Sequence, residues 1–298
     1  MLDYSALSAL SAVVREGSFE RAARALSVTP SAISQRIRLL EERIGCALVV
    51  RAQPCRATEI GRRLCQHVDR VHLLEQQLEG AVPALSAGGT KRVPLPVAVN
   101  ADSLATWFAP AVSEFAAEAP VLMKISVDDQ DHTAEWLRSG AVLGAVTGSS
   151  RAPAGCASRP LGSMRYLPAA SPQFAARHFP EGVGAGPLAR APSLVFNAKD
   201  ELQARWALRL CHRHVELPRH VLPSTQAFVT ATLAGMGWGL HPQALIASHL
   251  KDGSLVELVP NTPLDVPLYW QHARAASSLL DGLTRQLVAA ARRALLPA

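Results

Sequence analysis

Ser31, Ser34, Gln35 and Arg38 recur at i, i+3, i+4 and i+7, and Ile33, Ile37 and Leu40 form a second row displaced by two residues. At about 100° per residue the two rows lie roughly 200° apart on one helix. One face packs; the other presents hydroxyls, an amide and a guanidinium, groups that can hydrogen-bond base edges in a major groove. Arg36 on the flank is placed to reach a phosphate. An ordinary amphipathic helix with a solvated polar face has the same pattern, so its neighbours must decide.

Two other places could hold a ligand. Asn100-Ala101-Asp102-Ser103 follows an apolar run and leads toward Thr106 and Trp107, and Ser224-Thr225 stands before a second helical segment. Helix starts carry free N–H groups and the positive end of a dipole, which suits a carboxylate. At the first, Asp102 or Ser103 acting only as a cap fits equally well. Asp128, Asp129 and Asp131 cluster at the end of a strand-like run, where they could pair with a cation or simply stand in solvent. Thr147 ends a further strand and could add a hydroxyl. The chain has no G-x-S-x-G elbow and no Walker loop, which argues against a hydrolase or nucleotide-dependent enzyme. Gly235-Met236-Gly237-Trp238-Gly239 comes after a helix and before a strand, the reverse of a dinucleotide-binding loop, and is better read as a helix C-cap entering a core strand. Cys211, His212 and His214 have no second pair at a zinc spacing, so no metal or cofactor is expected.

The elements around the first helix suit DNA. Tyr4 to Arg15 has apolar residues three to four apart, Gly17 ends that helix, and Ser18 caps a short one from Phe19 to Leu26. Ser27-Val28-Thr29 then turns the chain, with Thr29 as N-cap and Pro30 at the first helical position. Two helices joined by a three-residue turn make a helix-turn-helix. Ala47 to Val50 reads as a short strand, and the following turn carries Arg51 and Arg56, a wing for the DNA backbone. Thr58 caps a long helix whose apolar residues Ile60, Leu64, Val68, Val71, Leu74, Leu78, Val82 and Leu85 form one seam. A second subunit is the simplest cover for it, and packing on its own chain is the alternative. Pro83 ends the helix and Ser86-Ala87-Gly88-Gly89-Thr90 reads as a hinge.

Beyond the hinge, strands alternate with helices: strand Val93–Asn100, helix Ala105–Ala119, strand Val121–Val127, helix Thr133–Ser139, strand Leu143–Thr147. A second series follows with strands near Tyr166, Val195, Val221, Leu240 and Val256, then Tyr269-Trp270 and a closing helix to Leu296. This order predicts a parallel or mixed α/β sheet. The 298 residues suit about two domains, and 49% hydrophobic against 18% charged excludes a disordered chain. No apolar run is long enough to span a bilayer, and the N-terminus lacks the basic flank of a signal peptide. Five cysteines without CxxC spacing fit a reducing cytoplasm. Of the net charge of +6, the first 65 residues carry +4, from ten arginines against six acids. That is a basic module on a nearly neutral body, as a polyanion binder would have.

The run from Thr29 to Arg51, TPSAISQRIRLLEERIGCALVVR, preceded by A-A-x-x-L (Ala22 to Leu26), resembles the N-terminal signature of LysR-type transcriptional regulators. Where that family often has Leu-Phe-x-Arg, this chain has Leu48-Val49-Val50-Arg51, which keeps an apolar strand before the wing arginine. VNADSLATW (Val99 to Trp107), Asp128-Asp129 and LYWQ (Leu268 to Gln271) resemble the branch that senses basic amino acids, the ArgP and LysG type. The resemblance spans essentially the whole chain.

The resemblance implies an all-α winged helix-turn-helix domain over 1–58, a linker helix and hinge over 59–91, and an α/β effector domain over 92–298. The last would have two lobes like a periplasmic binding protein, lobe I at about 92–161 and 266–298 and lobe II at about 162–265. DNA contacts fall to Thr29, Pro30, Ser31, Ser34, Gln35, Arg36, Arg38, Arg51 and Arg56. Effector contacts fall to Asn100, Ser103, Thr106, Trp107, Asp128, Asp129, Thr147, Ser224 and Thr225, with L-lysine or L-arginine as effector. Expected partners are double-stranded promoter DNA, a second copy joined through the linker helix, a tetramer on DNA, and RNA polymerase; no membrane is involved. Family members of this branch activate exporter genes. An architectural or replication-related DNA binder of the same fold, without an amino-acid effector, is the alternative, and ligand-dependent melting separates the two.

Overall fold

The computed structural model describes residues 2–81, 93–119, 121–127, 136–137 and 141–297. They divide into two compact units, one built on Met1–Val93 and the other on Pro94–Arg138 and Val142–Ala298.

In the first unit, three N-caps start three helices. Asp3 accepts from the N–H of Ser5 and Ala6 ahead of α1 (Tyr4–Glu16), and these bonds hold its carboxyl below the usual range. Ser18 accepts from Arg21 N–H ahead of α2 (Phe19–Ala25), and Thr29 from Ala32 N–H ahead of α3 (Pro30–Ile44). The apolar faces meet in one core containing Leu7, Leu10, Val13, Ile33, Ile37 and Leu48. The wing is a hairpin of β1 (Val49–Val50) and β2 (Arg56–Ala57), with Val50 opposite Arg56. Glu41 near the end of α3 accepts from Leu48 N–H at 2.7 Å and Val49 N–H at 3.3 Å, so the third helix itself orients the wing.

Thr58 accepts from Gly61 N–H and donates to Ala47 C=O at the start of α4 (Glu59–Ala81). Gly61 is required there: a Cβ would lie 2.1 Å from the carbonyl oxygen of Leu48. The structure corrects the single-seam reading of this helix. Val68 is 1% exposed, and Leu64 and Cys65 pack on the core of α1–α3, so the seam from Leu64 to Val68 is covered by its own chain, while Ile60 before it is 45% exposed. Leu74 and Leu78, at 53% and 54% exposed, are not. Val82, Pro83, Leu85 and the Ser86–Thr90 hinge lie outside the described residues.

The second unit is built on a seven-stranded sheet. β3 (Val93–Val99), β4 (Val121–Val127) and β5 (Gly144–Thr147) belong to the first lobe, with β3 parallel to β5. Two long strands, β6 (Cys156–Ala170) and β11 (Leu264–Ala273), run antiparallel and carry the chain between lobes. The sequence reading found β6 only near Tyr166, because Pro160, Gly162 and Pro168 look like strand breakers. A register shift between Leu268 and Tyr269 absorbs Pro160 and Gly162, and Pro168 lies past the end of the β11 pairing, opposite Leu240 of β9. The second lobe adds α7 (Pro172–His178), α8 (Ala185–Leu188), β7 (Ser193–Val195), α9 (Leu202–Cys211), β8 (Arg219–Val221), α10 (Thr225–Leu233), β9 (Gly239–Pro242), α11 (Gln243–Asp252) and β10 (Val256–Glu257). β7 and β8 pair in parallel, and β9 and β10 join β6. The closing helix α12 (Ser277–Ala294) returns to the first lobe. Among the described residues no helix is long and apolar enough to cross a membrane.

The helix after β3 starts four residues earlier than its apolar pattern predicts. It comprises α5 (Ala101–Ser103), a π-helical turn from Leu104 to Phe108, and α6 (Ala109–Glu118). Asn, Asp and Ser favour caps and turns over helix interiors, which hid this start. A π-turn inside a helix is frequent at functional sites. The helix expected over Thr133–Ser139 lies mostly outside the described residues.

Candidate functional site

The first unit presents a basic reading face. Thr29, Pro30, Ser31, Gln35 and Arg38 are exposed on α3, and Ser34 and Arg36 are half-buried. Thr29 spends its hydroxyl on the cap, with its Oγ1 also 3.0 Å from that of Ser31. The Nε–H of Arg38 donates to Glu42 at 2.8 Å one turn on, so this guanidinium reaches a base edge only by releasing or sharing that exposed pair. Arg36 lies near Asp3, whose carboxyl it helps to hold down. On the wing, Arg51 stacks over the Phe19 ring at 5.3 Å and Arg56 is exposed. Cation–π stacking fixes the Arg51 side chain while leaving its hydrogen-bond fork open to phosphate.

In the second unit, three elements converge on one carboxylate. Asp102, in the first turn after β3, accepts from the hydroxyl of Tyr166 at 2.8 Å and from that of Thr225 at 3.0 Å. Tyr166 belongs to β6, and Thr225 opens α10 in the second lobe. The two ligand junctions read from the sequence therefore do face each other, but through an acid for which the sequence left a capping role open. The Asn100 side chain, at the N-cap position, makes no cap bond. Patterning cannot reveal this, because Tyr166 is 64 residues away and Thr225 is 123.

The other expected contacts divide. Ser103 is fully buried, and its hydroxyl has no partner among the described residues. Asn100, at 3% exposed, and Thr147, at 0%, are buried at the ends of β3 and β5, with Thr147 accepting from Ser149 N–H at 3.2 Å. Beside them Gln271 of β11 is fully buried and donates to Ser149 C=O at 2.7 Å. Ser224 caps α10, accepting from Ala227 N–H. The Thr106 hydroxyl donates back to Asp102 C=O at 2.7 Å within its own helix, a common habit of Thr in helices. Thr106 and Trp107 line a cavity at the hinge of the two lobes. Asp128, Asp129 and Asp131 lie outside the described residues.

Other chemistry-bearing groups are accounted for locally. Gly235 takes φ +75° just after α10, and Gly237 and Gly239 let the chain pass close to Leu194 and Phe228 on its way into β9. All five cysteines are free, and burial together with Asp69 pushes the Cys65 thiol up to about 12. His241 is fully buried, bonded to the Thr232 hydroxyl at 3.0 Å, and desolvation pushes it down to about 3. Among the described residues no cluster of His, Cys, Asp and Glu could hold a metal ion.

Comparison with known proteins matches the same two parts. Residues 4–62 match the family described as bacterial regulatory helix-turn-helix protein, lysR family, and residues 89–295 match the LysR substrate binding domain. The chain is 48% identical over 299 residues to the HTH-type transcriptional regulator ArgP of Pseudomonas fluorescens, covering 100% of this chain and 99% of that protein. The crystal structure of ArgP from Mycobacterium tuberculosis is similar with a TM-score of 0.82 and 43% identity, covering all of both chains. Full-length LysG from Corynebacterium glutamicum, solved with bound effector Arg, is similar with a TM-score of 0.71 and 37% identity, covering 99% of this chain and 100% of that one.

Proposed function

The chain belongs to the LysR family of bacterial transcriptional regulators, DNA-binding proteins rather than enzymes, and on that premise we propose that it senses a free basic amino acid, L-arginine or L-lysine, and activates a gene for amino-acid export. One observation carries the reading: the carboxylate of Asp102 stands where the start of α5, the strand β6 and the start of α10 meet. A free basic amino acid brings a carboxylate, an α-ammonium and a distal cation. The helix starts at Ala101 and Thr225 supply N–H groups for the carboxylate, with Ser103 and Ser224 beside them. Asp102 receives the α-ammonium. Tyr166 and Thr225 donate to it until then, and a carboxylate makes its strongest hydrogen bonds with a charged donor. Asp128 and Asp129 receive the distal cation, and Asn100, Thr147 and Gln271 line the first-lobe wall. The arginine-bound relative supports this choice of effector.

Ligand between two lobes favours the arrangement that it contacts on both sides, and only through that difference in affinity can it reposition the DNA-reading heads. A dimer through the exposed part of α4, paired into a tetramer on promoter DNA, transmits the change; contact with RNA polymerase completes activation.

Calorimetric titration of the full chain with L-arginine, L-lysine and L-histidine tests the proposal. We expect saturable binding of arginine or lysine. Asp102→Asn should weaken it at least about tenfold, the worth of one charge-assisted hydrogen bond. Absence of binding by the wild-type chain would leave a DNA-binding protein without this effector. Unchanged affinity in the variant would remove Asp102 from the site.

A further inference from the structure

We propose that the Thr225 hydroxyl is a switching donor, through which the site selects an α-amino acid over the corresponding amine. The inference rests on the effector reading above and deepens it. In the free chain the hydroxyl of Thr225 donates to one oxygen of Asp102 at 3.0 Å, and that of Tyr166 donates to the other at 2.8 Å. The two donors are held very differently. Tyr166 is fully buried, and its strand is paired on both edges there, with Leu264 of β11 on one side and Pro242 of β9 on the other. That phenol stays on Asp102. Thr225 opens α10 directly after Ser224, whose hydroxyl already caps the helix through Ala227 N–H. The Thr225 hydroxyl is therefore spared from capping, and rotation about its C–O bond redirects its proton without moving the backbone. Asp102 is half-buried, so a ligand can reach the pair.

A hydroxyl has one proton to give, whereas a carboxylate has about four lone-pair sites to receive. That asymmetry decides what happens when a ligand arrives. An α-amino acid carries a donor and an acceptor on one carbon, its ammonium and its carboxylate. Asp102 and Thr225 present the complementary acceptor and donor 3.0 Å apart. The ammonium, a charged and stronger donor, takes the Asp102 oxygen that Thr225 held. The Thr225 proton then turns to the ligand carboxylate, which also meets the first N–H groups of α10. One hydroxyl–carboxylate bond is exchanged for another of the same kind, and the ammonium–carboxylate bond is the net gain. An amine with the same side chain but no carboxylate also displaces Thr225, yet returns no acceptor for its proton. One bond is then lost for the one gained. An Nα-acylated amino acid has no charged donor with which to displace Thr225, and its carboxylate meets the like charge of Asp102. Selection for the whole α-amino acid head is thus built into a bond that the free chain already makes.

The test is a calorimetric titration of the full chain with L-arginine, with agmatine (arginine without its α-carboxylate) and with Nα-acetyl-L-arginine. It is run on the wild type, Thr225→Val and Thr225→Ser. In Thr225→Val there is no hydroxyl bond to displace. Agmatine should therefore bind this variant about tenfold more tightly than the wild type, as expected for one hydrogen bond to a charged group. Arginine should bind both about equally, because the exchange of one hydroxyl bond for another is simply absent from the variant. Thr225→Ser keeps the hydroxyl and should match the wild type, and Nα-acetylarginine should bind none of them. Thr225→Ala should repeat the valine result, which removes any effect of the valine side chain on folding. A plain contact between Thr225 and the ligand, or a structural role, weakens binding on substitution and does not tighten it. Agmatine that binds Thr225→Val no more tightly than the wild type overturns the proposal. So does arginine weakened about tenfold by that substitution, or Nα-acetylarginine bound as tightly as arginine. Each of those results, with arginine still bound by the wild type, leaves the effector reading standing; a wild type that binds no arginine or lysine overturns both.

Discussion

Arg38 and Arg51 do different work although both are exposed arginines of the reading head. Arg38 projects from the face that holds Ser31 and Gln35, and its pair with Glu42 keeps it extended along that face. Arg38→Ala should relax base preference, by about 1–3 kcal/mol for a bidentate base contact. Arg51→Ala should weaken all sequences alike and flatten the salt dependence, as loss of one phosphate contact does. Gel-shift titrations on promoter and random DNA at several salt concentrations separate these outcomes. His241 sets a second residue-scale expectation. It is neutral and buried in the second lobe, with its folded value about 3 against an ordinary 6.5. A depressed folded value means that stability is complete above about 6.5 and falls as pH drops toward 3, with a limiting slope of roughly 1.4 kcal/mol per unit. His241→Leu should flatten that part of the pH profile of the urea midpoint. An unchanged profile would assign the acid sensitivity to other groups.

At the scale of elements, α4 is two helices in one. Its stretch from Leu64 to Val68 completes the core of the head, while Leu74 and Leu78 face outward further along. Val68→Asp buries an unpaired charge and should unfold the head, at a cost of several kcal/mol. Leu74→Glu with Leu78→Glu should leave the head folded and halve the mass measured by light scattering. Operator affinity should fall with it, since two half-sites need two joined heads. A double variant that keeps its mass would place the subunit contact elsewhere. Glu41 belongs at this scale too, because its two bonds to the wing connect base-reading helix and phosphate-reading hairpin into one rigid piece.

At the scale of the whole effector unit, the antiparallel pair β6 and β11 is the physical link between lobes, and the chain's last residues reinforce it. Gly162 stands where the tail crosses: its φ is +127°, and a Cβ would lie 2.3 Å from the carbonyl oxygen of Leu296. Gly162→Ala should therefore cost more than about 1 kcal/mol, from the strained backbone and the displaced tail together. The urea midpoint of the full chain should fall accordingly, and the tail should become accessible to carboxypeptidase. A variant with wild-type stability and a protected tail would show that the tail does not clamp the hinge.

Much of this protein is legible along the chain because it is local. Caps at Ser18 and Thr29, the turn at Ser27, the two-faced helix with Ser31, Gln35 and Arg38, and the α/β alternation all follow from neighbours within a few residues, where propensity and periodicity act. The effector site is only half legible for the same reason. Its helix starts are local features and could be read, but β6 was masked by its prolines and the helix after β3 by its polar first turn. Only the tertiary structure brings Tyr166 and Thr225 onto Asp102 and covers Leu64 and Val68 of the α4 seam with the core of the head. Each of those outcomes depends on which distant groups share a small volume, and hydrogen bonds and burial are decided there, by distance in space rather than by separation along the chain.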